Sequence, residues 1–267
     1  MIKLDSSSNA SFLQQIQQKQ DSILEKLSSG KRINSAADGA AAQQIIDRLT
    51  SQVEGNRQSI SNAYDGISLA QVAEGGLSGI NEDVNRIREL SVQAGNGLLN
   101  DGDRKALQAE VSQLQQNISQ TIKQTEFGGK ALLSGSGSLD FQIGANAGQK
   151  IGVQTNDVAA GLSDILNVDL STAQGAQDAL AAADSAVDYV GNARADLGAT
   201  QNRFESAARN LSQTDINVTA ARSRIQDTDY AQASSELASA DLLSQASIAV
   251  QSLANQQKGQ VLSLLNG

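Results

Sequence analysis

At 267 residues the chain is long enough for one large domain or two small ones, and 20 Lys and Arg against 29 Asp and Glu leave a net charge of −9. That balance offers no basic patch for a nucleic-acid backbone. The absence of His, Cys, Trp and Pro removes imidazole and thiolate metal sites, Ser-His-Asp and Cys-His triads and every disulfide.

The first predicted element is an amphipathic helix marked by Phe12, Ile16, Ile23 and Leu27, closed at Ser28-Ser29-Gly30, where Gly30 suits the residue just past a helix end. A helix from about Ala40 to Ala94 follows. Val53, Ile60 and Ile67 lie seven apart on it, and Leu77, Ile80, Val84 and Ile87 step by three and four. Gly95-Asn96-Gly97 and Asn100-Asp101-Gly102-Asp103 predict a turn, with Asp103 as the N-cap of a shorter helix through Leu107, Val111, Leu114, Ile118 and Ile122 to about Gln124. The period then changes. Leu139, Phe141 and Ile143, a turn over Gly144–Gly148, and Ile151, Val153 and Thr155 predict one β-hairpin near 139–155, and Ala159 to Gln174 reads as loop.

Beyond it, Val190, Leu197, Phe204, Leu211, Val218 and Ile225 fall seven apart without a slip. This is the mark of a long helix in a coiled-coil-like seam, with a weaker companion row at Ala183, Val187, Arg194, Gln201, Ala208 and Asp215. From Leu180 to Ile225 such a helix would run about 70 Å at about 1.5 Å per residue. In the last element Leu243, Ala246, Val250, Leu253, Gln257, Gln260 and Leu264 alternate by three and four, and no charge occurs between Asp241 and Lys258. A helix so poor in charge is badly suited to stand alone in water, so both ends are expected to be mobile in a monomer and ordered by a partner. A membrane surface would ask for a basic face, which this helix lacks, so helix pairing is favoured. With 39% hydrophobic but 3% aromatic residues, burial rests on Ala, Leu, Ile and Val. The predicted fold is mainly α: long antiparallel helices in a coiled-coil-like rod with one small β-hairpin, plus a terminal helix pair.

The remaining motifs favour plain structural readings. Gly30-Lys31 is no phosphate loop, because Glu25 and Arg32 stand where Gly and Ser or Thr are required. Asp101-Gly102-Asp103 with Glu110 is no calcium loop, because Lys105 and Ala106 occupy the ligand and glycine positions. The many carboxylates are explained more simply by solvated helix faces than by a glycosidase pair. Of four Asn-x-Ser/Thr triplets, at Asn9, Asn117, Asn210 and Asn217, the last three lie inside predicted helices and read as chance. No run approaches about 18 apolar residues, so no membrane insertion is expected. Met1 to Ser6 turns polar with no apolar stretch, which predicts no cleaved secretory signal.

The run Leu27-Ser28-Ser29-Gly30-Lys31-Arg32-Ile33-Asn34-Ser35-Ala36 closely resembles the N-terminal signature of bacterial flagellin. So do Asn62-Ala63-Tyr64-Asp65-Gly66-Ile67-Ser68 and Arg86-Ile87-Arg88-Glu89-Leu90-Ser91-Val92-Gln93. Toward the C-terminus the likeness continues through Leu197-Gly198-Ala199-Thr200-Gln201-Asn202-Arg203-Phe204 and Ala221-Arg222-Ser223-Arg224-Ile225-Gln226-Asp227-Thr228-Asp229-Tyr230. It covers about residues 5–135 and 180–265 in the family's order. Two departures stand out: the large variable outer domains of many flagellins are missing, and Gly259-Gln260 precede Val261-Leu262-Ser263-Leu264-Leu265 where the family often has Pro.

The resemblance implies a structural, non-enzymatic subunit that polymerises into the extracellular flagellar filament for motility, with no cofactor. The alternative is the hook–filament junction protein of the same family. A secreted enzyme would need an inserted domain with a motif such as H-E-x-x-H, and a type III translocator would need a long apolar span; the chain has neither. Residues 1–34 and 231–267 would form an inner helical pair, 35–43 and 226–230 short spokes, and 44–225 an outer helical domain. The polymerisation core would include Phe12, Ile16, Ile23, Leu27, Leu243, Val250, Leu253 and Leu264. The implied partners are further copies of the chain, an export chaperone on the C-terminal segment, junction and cap proteins, and a host Toll-like receptor. The receptor would dock on a patch of Arg86, Leu90 and Glu110. Export would run through the flagellar type III apparatus without cleavage.

Overall fold

The structure, a computed structural model, describes residues 6–265. It contains α1 (Ser6–Ser29), α2 (Ala36–Ala94), α3 (Asp101–Gln124), β1 (Glu126–Phe127), β2 (Lys130–Ala131), β3 (Gly137–Gln142), β4 (Lys150–Thr155), α4 (Val158–Gly161), α5 (Ser163–Leu166), α6 (Ala173–Gln226) and α7 (Tyr230–Leu265). The chain divides into two compact units, one of residues 54–215 and one of residues 1–53 with 216–267.

The 54–215 unit is built on a two-row seam. On α2 the buried positions Ala63, Gly66, Ala70, Ala73, Leu77, Ile80, Val84, Ile87, Ser91 and Ala94 step by three and four without interruption, the spacing that keeps one stripe of a helix against its partner. On α6 the matching stripe is Ala176, Ala179, Ala183, Ala186, Val190, Ala193, Leu197, Phe204 and Ala208. Alanine dominates it, so the helix is strongly favoured locally and presents a low surface that lets its neighbours approach closely. Cross-helix pairs fix the direction. Arg57 meets Asp215, Glu74 meets Arg194, and Arg88 meets Asp184. Partners on α6 descend in number as those on α2 rise, so the two helices are antiparallel.

Several sequence expectations are corrected here. Ala183 belongs to the same row as Val190, and the companion row upstream is Ala179, Ala186 and Ala193. Arg194 and Gln201 flank the seam, and both donate to the Glu74 carboxylate, at 3.4 and 3.3 Å. Of the six-residue apolar row, Val190, Leu197 and Phe204 are buried, whereas Leu211, Val218 and Ile225 are only half-buried. Val53 is buried, but Ile60 and Ile67 sit at the edge of their stripe because the seam passes through Ser59, Ala63 and Gly66.

The α2–α3 turn is closed by a reciprocal cap in which Asn100, not Asp103, is the N-cap: its side chain accepts from the Asp103 N–H, and Asp103 accepts from the Asn100 N–H. Arg104, buried at the start of α3, donates to the carbonyls of Ala94 and Asn96 and so satisfies the end of α2.

Two antiparallel strand pairs are present where one hairpin was expected. β3 and β4 pair with Leu139 opposite Val153 and Phe141 opposite Ile151. The additional β1–β2 pair turns on Gly128 and Gly129, both at positive φ (56° and 75°), as a tight two-residue hairpin requires. The expected loop over 159–174 holds α4, α5 and the start of α6, with Val158, Leu162, Ile165 and Leu170 buried. Side chains of α3 hold it down: Gln108 accepts from the Leu170 N–H at 2.6 Å, and Gln115 donates to the carbonyls of Ile165 and Val168.

In the other unit, Gly39 interrupts the helical dihedrals of α2, which are regular from Ala40 onward. Ahead of it, the Asp38 carboxylate accepts from the N–H groups of Asn34 (3.0 Å) and Ser35 (2.9 Å) and from the Ser35 hydroxyl. The Ser35 N–H, then that of Asn34, holds the Asp38 carboxyl below its ordinary pKa. A depressed carboxylate contributes stability above its unfolded-state pKa and loses it as pH falls through the folded value. The Ser35 amide resonance is therefore expected to titrate with an inflection below the ordinary Asp value of about 3.9. An inflection at or above that value in an NMR titration would show that these bonds do not hold.

Candidate assembly surface

α1 and α7 pack against each other. Ile16 and Ile23 of α1 are buried in that contact and Leu27 is half-buried. α7 answers with a mostly small or polar face: Ala233 and Ala240 are buried, and Leu237, Ser244, Ser247, Gln251 and Ala254 are half-buried, again at steps of three and four. Gln20 donates to Asp241 across the pair at 2.7 Å.

The base of the pair is clasped by the chain on either side. The Arg32 N–H donates to the Gln226 carbonyl (2.6 Å) and the Thr228 N–H to that of Gly30 (3.0 Å), while Lys31 and Asp227 form an isolated bridge. The Arg32 guanidinium donates to the Ile225 carbonyl, and the Tyr230 hydroxyl donates to that of Leu27.

Since that face of α7 meets α1, the large apolar residues of α7 beyond Leu237, and Phe12 of α1, are left in solvent. Phe12, Leu243, Val250 and Leu253 are between 45% and 58% exposed, and Leu242 and Ile248, which the sequence spacing did not single out, are more exposed than any of these or equal to the highest. Phe12, Leu243, Ala246 and Val250 line an open groove of about 220 Å³ between the two helices. Leu264 lies on α7 but outside the residues whose side chains are described. The eight expected core residues thus divide: Ile16 and Ile23 close the pair internally, whereas Phe12, Leu243, Val250 and Leu253 remain uncovered. All of the net charge of −9 resides in residues 54–215; the terminal unit has as many basic as acidic residues. Bringing copies of the terminal unit together therefore meets no net repulsion.

Arg86 and Glu110 are brought together as the sequence implied. Nε and Nη2 of Arg86 donate to one Glu110 oxygen at 2.9 and 2.7 Å, and Nη1 donates to Glu89 at 3.0 Å. The Glu110 hydrogen bonds, then the Glu89 one, push the Arg86 pKa up, so the guanidinium stays charged. Leu90 does not join them. It is 1% exposed, inside the core beside Ile87 and Ala94, because the seam takes that side of α2. Among the described residues no cluster of His, Cys, Asp or Glu could hold a metal ion, and no helix is long and apolar enough to cross a membrane.

Residues 3–138 match the family model of the bacterial flagellin N-terminal helical region, and residues 180–265 that of the bacterial flagellin C-terminal helical region. The chain is 40% identical over 277 residues to the flagellin of Bacillus subtilis (strain 168), with 91% of each chain covered. Two solved structures share its fold. A Bacillus cereus flagellin matches at 24% identity and a TM-score of 0.53, over 61% of this chain and 94% of that one. A putative flagellar hook-associated protein from Vibrio parahaemolyticus matches at 16% identity and a TM-score of 0.59, over 71% of this chain and all of that one. These likenesses show the fold alone. The two family matches and the 40% identity over nearly the whole chain place it in the bacterial flagellin family.

Proposed function

We propose that this filament subunit polymerises through the exposed face of the α1/α7 pair, with residues 1–34 and 231–267 forming the inner core of the filament and 35–43 and 226–230 its spokes. The observation that carries this reading is the unspent apolar surface of α7. Leu242, Leu243, Ile248, Val250 and Leu253 stand in solvent on a stretch without a single charge. Each such side chain gains roughly 1.5–3 kcal/mol when fully buried, and a second copy of the chain brings the same uncharged surface.

The same face offers an export chaperone its target before assembly, because a holder of the C-terminal segment would cover those apolar residues. Export proceeds through the flagellar type III apparatus without signal cleavage, and cap and junction proteins meet the two ends of the polymer. The host receptor contact falls on Arg86, Glu89 and Glu110, since Leu90 is not accessible.

Removal of residues 235–267 tests the reading. The 54–215 unit has its own core and is expected to keep its cooperative melt by circular dichroism, while electron microscopy finds no filaments. Filaments of normal appearance from the shortened chain would overturn it.

A further inference from the structure

Asn96 and Gly97 form the one Asn-Gly pair among the described residues, exposed at the turn between α2 and α3. Glycine has no Cβ to screen its nitrogen, so at such a pair the side-chain carboxamide is open to attack by the backbone that follows it. The turn arranges both partners. The Asn96 side-chain oxygen accepts from the Leu98 N–H at 3.1 Å, which closes a ring that contains the Asn96 Cγ and the Gly97 nitrogen. The Asn96 carbonyl accepts from the Leu99 N–H at 3.2 Å and from Nη2 of the buried Arg104 at 3.3 Å. The Gly97 N–H itself has no hydrogen-bond partner among the described residues.

Other asparagines lack one or more of these features. The Ser35 N–H that follows Asn34 is held by Asp38, and the Asn100 side chain is committed to the Asp103 N–H. Asparagines inside the long helices, such as Asn62, Asn117 and Asn210, precede N–H groups already bonded along the helix.

We propose that Asn96 is a self-modifying site: the Gly97 nitrogen closes on the Asn96 Cγ, ammonia is released, and water opens the resulting succinimide to an aspartyl or isoaspartyl residue. The Gly97 N–H first gives its proton to hydroxide. The charge left on that peptide is shared with the Asn96 carbonyl oxygen, where the Arg104 guanidinium and the Leu99 N–H stabilise it. As the bond from nitrogen to Cγ forms, charge moves to the side-chain oxygen, where the Leu98 N–H is already placed. The bond from Cγ to Nδ2 then breaks, and Nδ2 leaves as ammonia with a proton taken from water. Water next adds to one carbonyl of the imide. Cleavage at Cγ gives the aspartyl residue, cleavage at the main-chain carbonyl gives the isoaspartyl one, and either way the Gly97 nitrogen recovers its proton. In the isoaspartyl product the oxygen that Arg104 holds becomes part of a carboxylate, and the pair becomes charge-assisted. That product also lengthens the main chain of the turn by a methylene.

The test incubates the folded full-length chain at mildly alkaline pH beside the same chain unfolded in urea. Trypsin releases residues 89–104 as one peptide that carries both Asn96 and Asn100, and mass spectrometry reads the exchange of NH2 for OH at each. Asn96 of the folded chain is expected to convert about tenfold faster than in urea, because the turn supplies position and charge stabilisation. Asn100 should remain intact in the folded chain. Gly97→Ala, whose new methyl meets nothing within 4 Å, is expected to slow the folded reaction about tenfold. A folded chain that converts no faster than the unfolded one would overturn the proposal, because the turn would then give Asn96 no assistance. Conversion at Asn100 as fast as at Asn96 in the folded chain would overturn it as well.

Discussion

Replacing Phe204 with Ala is expected to destabilise the 54–215 unit by about 3–5 kcal/mol, the range for removing a fully buried aromatic ring. The ring is inaccessible to solvent and sits where three elements converge. It meets Phe141 of β3 edge to face, with centroids 5.4 Å apart and planes at 88°. On its other side it lies directly over Gly66 of α2, where a Cβ would fall 2.5 Å from the ring. The glycine has no side chain to collapse into the space the ring would vacate. A large part of that space should remain as a cavity, which places the loss toward the upper end of the range. Urea unfolding with unchanged slope and a lowered midpoint is the expected record; an unchanged midpoint would mean that the ring is not packed as described.

The second large effect is on assembly. Val250→Glu combined with Leu253→Glu places two carboxylates in the longest uncharged stretch of α7, at positions about half exposed in the isolated chain. Because both face solvent there, the monomer should melt as the parent does. On assembly each carboxylate would have to be desolvated against apolar neighbours, at a cost of several kcal/mol per group. Filament growth should be abolished at neutral pH. Electron micrographs showing normal filaments from this variant would place the contact on another face of α7. The substitution thus asks which face is used, whereas truncation asks only whether the segment is needed.

Residues whose pattern repeats over many turns were legible before the structure. The seven-residue spacing marks Val190, Leu197 and Phe204 as one helix face, and they are buried where that face meets the seam; Leu211, Val218 and Ile225 on the same spacing are only half-buried. The companion row is not legible, since alanine is at home both in a seam and on a surface and Ala179, Ala186 and Ala193 offer no contrast with their neighbours. α7 was hard for a related reason. Apart from Leu237, its inner face is made of small and polar residues and its outer face carries the large apolar ones, an inversion that intrinsic hydrophobicity cannot reveal without knowing that α1 occupies one side. Leu90 shares a helix face with Arg86 at four residues' separation, but at the border of the seam a few tens of degrees decide between core and surface. The four-residue α4 and α5 carry no periodic signal; α5 and the segment after it are held by Gln108 and Gln115, some 50–60 residues earlier in the chain.

The alanine stripe of α6 also bears on how fast a subunit can become ordered. Burying an alanine freezes no rotamer, so Ala176, Ala179, Ala183, Ala186 and Ala193 dock at almost no cost in side-chain entropy. A chain without proline or cysteine has no prolyl isomerisation and no disulfide exchange to wait for. What remains to be searched is chiefly the pairing of long helices, whose alignment is pinned by a few distinctive residues: Phe204 over Gly66, and the Glu74 carboxylate against Arg194 and Gln201. Folding should accordingly show a single fast phase, with no minutes-long tail. For a polymer extended one molecule at a time, this makes each addition limited by delivery of the chain and not by its maturation.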